Sequence, residues 1–201
     1  MVGQTKSFPI LLCFAWLLLI VPPGLSNPLS SSRVADVVTL PYNFTLAAYN
    51  TTLPNPNRNG AALVLGQNGA TSGVTPHVTS TRASFPYDDY PSLALINGYL
   101  RAYSEDGSWH TNATQTQSGN TLGWVTTTRF AMPAPEIYSA ATVPLTKHPL
   151  LAVYGRHDLW SLCQFPGRLR QTNVVYDIAA ASNGLFDPRN CYGVILFIVK
   201  K

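Results

Sequence analysis

Residues Gly155 to Phe165 read GRHDLWSLCQF and bring a histidine, an aspartate, a serine and a cysteine within a few positions of one another. An imidazole, a carboxylate and a hydroxyl are the inventory of nucleophilic catalysis. Strand alternation argues against that use here, because neighbours in a strand point to opposite faces. Asp158 is then poorly placed to orient His157. Leu159, Ser161, Cys163 and Phe165 fall on one side, with Trp160, Leu162 and Gln164 on the other. Ser161 sits in Leu-Trp-Ser-Leu-Cys, without the glycines of a nucleophile elbow. Gly155 to Asp158 reads as the turn entering a strand.

The remaining chemistry is equally sparse. His77, His110 and His148 do not pair with one another or with His157 at metal-ligand spacing, and no metal or cofactor is expected. Hydrolysis of a glycoside needs two carboxyl groups facing each other across the bond. The densest acidic stretch is Asp88-Asp89 within Phe85–Pro91, and Glu105-Asp106 belongs to a turn. Adjacent acids of this kind are ordinarily solvated, and the oxygen pattern of a calcium loop is absent. No catalytic residue is expected. Aromatic side chains offer binding chemistry instead. Trp109, Trp124 and Trp160, with Tyr87, Tyr90, Tyr99 and Tyr103, mostly fill the core in a domain of this kind. Tyr87, Tyr90 and Trp109 lie among polar turn residues and are the candidate carbohydrate-binding surface.

The N-terminus sets the compartment in which this chemistry would operate. Lys6, an apolar run from Ile10 to Val21 and then Pro22, Pro23 and Gly24 have the order of a secretory signal peptide. The apolar run is about a dozen residues, against roughly 20 needed to span a bilayer. The expected organisation is a signal peptide over 1–26, a flexible tail over 27–38 and a single secreted all-β domain over 39–201. Cys13 leaves with the leader, so the mature chain keeps Cys163 and Cys191. In an oxidising compartment a lone pair is most simply a disulfide. It would close a loop of about 29 residues, a constraint valued at roughly 3 to 4 kcal/mol. Asn43, Asn50 and Asn112 head sequons. Asn50 and Asn112 lie in turn-like surroundings and are the better acceptors, and Asn43, at a strand edge, is expected to be partly used.

Without Lys6 the chain carries twelve basic and nine acidic side chains, scattered rather than clustered. Nucleic-acid binding needs concentrated positive charge, so it is not expected. The expected partners are cell-wall polysaccharide or another extracellular protein, with no transmembrane segment in the mature chain.

Charged residues are only 11% of the sequence, and no stretch after the leader has the helical spacing of apolar residues. The nearest helical candidate, Asp177 to Ser182, is a turn or two at most. Turn dipeptides recur at Asn59-Gly60, Asn68-Gly69, Asn97-Gly98, Asp106-Gly107 and Asn183-Gly184. Strand-like runs cover 42–49, 61–65, 92–96, 99–104, 123–130, 150–154, 159–165, 172–178 and 192–199. This predicts an antiparallel β-sandwich or barrel of about nine strands with one disulfide. A β-trefoil is the alternative, because Asn59-Gly60 and Asn68-Gly69 are echoed by Asn97-Gly98 and Asp106-Gly107, but a third copy is missing. The run Tyr192 to Val199 is apolar without alternation, as a strand covered on both faces should be.

Order and spacing also carry a resemblance. Phe44-Thr-Leu-Ala47, Asn59-Gly-Ala-Ala-Leu-Val-Leu65, Asn97-Gly-Tyr-Leu100, Leu159-Trp-Ser-Leu-Cys163 and Asn190-Cys-Tyr-Gly-Val-Ile-Leu196 span most of the mature chain. In these the sequence resembles small secreted fungal proteins of uncharacterised function, loosely the phialide-associated cell-wall protein type. The resemblance implies a β-rich, disulfide-pinned wall or extracellular protein without established catalytic residues. The expected role is therefore non-enzymatic, structural or interactive. A lectin-like carbohydrate-binding module is the alternative and a small secreted hydrolase the third.

Overall fold

The computed structural model describes residues 36–201 apart from 70–72, 110, 128–132, 167–169 and 180–183. The expected signal peptide, the tail up to residue 35 and His110 lie outside the described residues. So do Asn183 of one turn dipeptide and the end of the 177–182 candidate helix.

Twelve strands make one antiparallel sheet among the described residues. In order they are β1 (Phe44–Asn50), β2 (Ala61–Gln67), β3 (Val74–Thr81), β4 (Ser92–Ile96), β5 (Tyr99–Tyr103) and β6 (Thr111–Ala113). Then come β7 (Gly123–Thr127), β8 (Tyr138–Ala141), β9 (Leu150–Val153), β10 (Trp160–Gln164), β11 (Thr172–Tyr176) and β12 (Cys191–Lys200). A 3-10 turn, Pro188–Asn190, precedes β12, and the Asp187 carboxylate caps it by accepting from the Arg189 amide.

Nine strands close a ring that runs β1-β4-β5-β6-β7-β3-β11-β10-β12 and returns to β1. The expected all-β barrel of about nine strands is this ring. Strand β2 pairs with both β1 and β3, and β9 and β8 extend the sheet from β12. Hairpins β2–β3, β6–β7 and β10–β11 also meet, through the β3–β7 ladder, Asn173↔Ser80 and the Thr121↔Val175 bridge. This threefold grouping is the trefoil-like part of the fold. The Asn-Gly echo does not underlie it, because Asn59-Gly60 and Asn68-Gly69 flank β2, whereas Asn97-Gly98 and Asp106-Gly107 flank β5.

The core follows from alternation. Phe44, Leu46 and Ala48 of β1, Leu93 and Leu95 of β4, and Leu100 and Ala102 of β5 join Trp124, Trp160, Leu162, Leu196 and Ile198 in one buried cluster. Fully burying each large member contributes roughly 1.5–3 kcal/mol. Strand β12 lacks alternation because both faces are used. Val194, Leu196 and Ile198 enter the main core, while Phe197 packs on Ala141, Leu150 and Ala152 with Ile195 and Val199 alongside.

Cys163 and Cys191 are bonded. Cys163, Val175 and Phe186 form a third small cluster, so both faces of β10 are covered, with Trp160 and Leu162 on the main-core side. GRHDLWSLCQF is thus a turn and a buried strand.

Candidate functional site

Strand β5 reads Tyr-Leu-Arg-Ala-Tyr, and the alternation sends Leu100 and Ala102 inward. Tyr99, Arg101 and Tyr103 therefore share the outer face. Register extends that face across the sheet: Arg101 stands opposite Asn112 of β6, Asn112 opposite Val125 of β7, and Val125 opposite Pro76 of β3.

Trp109, just before β6, folds onto this face. Its indole Nε1 donates to the Thr111 carbonyl at 3.2 Å, and the Arg101 guanidinium carbon lies 3.9 Å from the centre of its ring. The same guanidinium is 5.7 Å from the Tyr99 ring centre. Such cation–π stacking fixes a long side chain that would otherwise be free. The Tyr99 hydroxyl donates to the Glu136 carboxylate, which is the main reason its pKa is raised. Trp109 remains 37% exposed. Asn112, opposite Arg101, lines a pocket of about 250 Å³ together with Ala113, Thr114, Gln115, Val125 and Pro133. Arg101 Nε and Asn112 Oδ1 are both buried, and neither has a hydrogen-bond partner among the described residues.

No family model, curated protein or solved structure matches the chain.

The three aromatic residues named from sequence do not assemble into one platform. Tyr87 is 63% exposed on the loop before β4 and meets Phe85 edge-on. Tyr90 turns to the inner side: it packs against the main core, meets His77 edge-on at 5.1 Å and shares a 2.9 Å hydrogen bond with Thr126. Only Trp109 sits on the outer face with Arg101. Sequence reasoning passed over Arg101 altogether and saw Asn112 only as a sequon. The signal was present, since the alternation of β5 places Tyr99, Arg101 and Tyr103 together.

Thr126 is the centre of a polar cluster on the inner side. Its hydroxyl is 3.1 Å from His77 Nε2, 2.9 Å from the Tyr90 hydroxyl and 2.6 Å from the Thr111 hydroxyl. Burial lowers the His77 pKa, with Asp89 opposing the shift. His77 is only 7% exposed, and its ring is already engaged by Thr126 and Tyr90.

The carboxylates have partners of their own. Asp158 receives two hydrogen bonds from Arg156, at 2.8 and 2.9 Å, which lower its pKa and turn it to Arg156 rather than to His157. His157 Nδ1 is buried without a partner. Asp88 pairs with Arg82 at 3.5 Å. Asp106 accepts from the Ser104 hydroxyl and from the Ser108 backbone and side chain, which holds its pKa at about 2. Among the described residues no group of three or more histidine, cysteine, aspartate or glutamate side chains could hold a metal ion.

A larger pocket of about 460 Å³ opens beyond the disulfide, lined by Gln164, Phe165, Pro166, Arg170, Asp187 and Asn190. Asp187 is bound there by Arg189 at 2.8 Å, and Gln164, Arg170 and Asn190 are exposed to water. Water already satisfies such solvated groups, whereas the outer face around Trp109 presents a part-exposed indole held by a cation. The outer face around Trp109 is therefore the better site.

The sequons are placed differently from their sequence context. Asn43 is exposed just before β1. Asn50 is 8% exposed, and its Oδ1 accepts from the Thr52 and Leu53 amides and the Thr52 hydroxyl. Asn112 is half-buried within β6, between β5 and β7. Among the described residues no helix is long and apolar enough to cross a membrane.

Proposed function

We propose that this chain is a secreted, glycosylated, non-enzymatic interaction domain of the fungal cell wall or extracellular space, and that its partner is carbohydrate. The observation that carries this reading is the outer face of β5 and β6. There a part-exposed indole, Trp109, is locked by Arg101, and Asn112, opposite Arg101 in the ladder, lines a pocket of about 250 Å³. Flat aromatic surface next to fixed polar groups suits a sugar, whose ring has an apolar C–H face and a hydroxyl rim. The leader-like N-terminus and the mature cysteine pair support an extracellular setting. The resemblance to small secreted fungal proteins supports the wall.

The test is retention of the mature protein on insoluble chitin, β-glucan and mannan, with Trp109→Ala beside it. Retention on one polymer that Trp109→Ala loses is the expected outcome. Passage through all three would defeat the reading.

A further inference from the structure

Two loops, 51–60 between β1 and β2 and 142–149 between β8 and β9, meet at Asn59. Asn59 Oδ1 accepts from Lys147 Nζ at 3.5 Å and lies 3.2 Å from His148 Nε2. Burial, then the charges of Lys147 and Arg58, lower the His148 pKa, so three basic groups converge where the loops touch. Neither loop contains an aspartate or a glutamate.

Leu145, two residues before Lys147, is fully exposed. It follows Pro144 in a turn closed by the Thr146 amide donating to the Val143 carbonyl at 3.2 Å, and its φ is +70°. Proline followed by a residue of positive φ is the type II pattern, whose third position ordinarily takes glycine or asparagine. A leucine there carries left-handed strain and leaves its apolar side chain in water. The loop that presents it is anchored. Val143 packs on Ala141, Leu150, Ala152 and Phe197, the His148 ring stands 5.5 Å from that of Phe197, and the Ile198 amide donates to the Pro149 carbonyl at 2.8 Å. The 51–60 loop exposes a leucine of its own, Leu53.

An apolar side chain held out of the fold beside cations, with no acid in either loop, suits a surface that has negative headgroups over an apolar interior. An acidic polysaccharide would use the cations and leave Leu145 in water. We propose that loops 51–60 and 142–149 dock the protein on an anionic lipid bilayer, with Leu145 entering the boundary between headgroups and acyl chains and Arg58 and Lys147 meeting the headgroup anions. This surface is separate from the Trp109 face and does not depend on the carbohydrate-binding reading. Its attachment is interfacial and needs no spanning segment.

Flotation of the protein produced from Asn27 onward, with vesicles of phosphatidylcholine alone or with about 30% phosphatidylserine, tests this. At low salt the anionic vesicles should carry at least about tenfold more protein than the zwitterionic ones, and added salt should shrink the difference. Leu145→Asn puts into the turn a residue that accepts positive φ, so it should unfold at the wild-type temperature or above it. It should nevertheless bind anionic vesicles at least about fivefold less. The double variant Arg58→Gln with Lys147→Gln should lose most of the preference for anionic vesicles, and Trp109→Ala should float like the wild type. Failure of the wild type to float with anionic vesicles, or flotation unchanged in folded Leu145→Asn, would overturn the proposal. So would retention on polygalacturonate that the double variant loses and Leu145→Asn keeps, without flotation of the wild type, because the cations would then serve an acidic polysaccharide.

Discussion

Cys163 and Cys191 stand directly opposite each other in the β10–β12 ladder, with Cα atoms 4.2 Å apart and a sequence separation of 28. Their bond closes a loop that contains all of β11 and the 3-10 turn. In the chain-entropy account such a loop restricts the unfolded state by roughly 3 to 4 kcal/mol. The double variant Cys163→Ala with Cys191→Ala should lose about that much unfolding free energy in a urea titration. A loss below about 1 kcal/mol would mean that the ladder alone organises this segment.

Two glycines separate backbone conformation from crowding. Gly60 has φ +92°, and a Cβ there would lie 2.2 Å from the Ala48 carbonyl oxygen, a backbone atom that cannot step aside. Gly107 has φ +80° with nothing within 4 Å. Gly107→Ala should therefore cost only the left-handed penalty, about 1–2 kcal/mol. Gly60→Ala should cost clearly more and displace the start of β2, a comparison that equilibrium unfolding reads directly.

The His77 imidazole has a lowered pKa because it is buried, and His148 shifts the same way. Between the lowered native value and the unfolded value near 6.5, the unfolded chain binds more protons than the native one. Stability supported by neutral His77 is thus full above about pH 6.5 and declines as pH falls below it. Urea midpoints at pH 7.5 and pH 5 should show this decline in the wild type and a shallower one in His77→Gln. Equal pH dependence in the two would show that His77 does not carry the effect.

Glycan occupancy should follow accessibility in the folded protein. Asn43 is exposed, whereas Asn50 is buried with its side-chain oxygen holding the turn at Thr52 and Leu53. Peptide mapping after enzymatic glycan release in heavy-oxygen water should label Asn43 most and Asn50 least. Full labelling at Asn50 with little at Asn43 would contradict this.

Nine strands were legible because β1, β4, β9 and β12 carry apolar runs and turn dipeptides flank β2 and β5, and β4 coincides with the run 92–96. Three strands were not. Strand β3 reads Val-Thr-Pro-His-Val-Thr-Ser-Thr, and its buried polar residues are served by partners far away in sequence, such as Ser80 with Asn173 at 2.7 Å. Strand β6 is three residues long, and β8 is Tyr-Ser-Ala-Ala, whose small side chains give no pattern. Likewise, Trp109 was visible as a candidate, but its pairing with Arg101 and the orphaned Asn112 oxygen depend on strand register. Alternation within one strand says which residues share a face. It does not say which residue of another strand will stand beside them.

The exposed indole offers the most direct measurement of the central claim. A protein produced from Asn27 onward lacks Trp16 and keeps Trp109, Trp124 and Trp160. Trp124 and Trp160 are each 1% exposed, against 37% for Trp109. Acrylamide quenching of tryptophan fluorescence therefore reports mainly on Trp109. Saturating chitohexaose, laminarihexaose or mannohexaose should protect the wild-type protein from quenching, and Trp109→Phe should show no protection. Quenching unchanged by all three oligosaccharides, with the protein folded, would contradict a carbohydrate-binding face at Trp109.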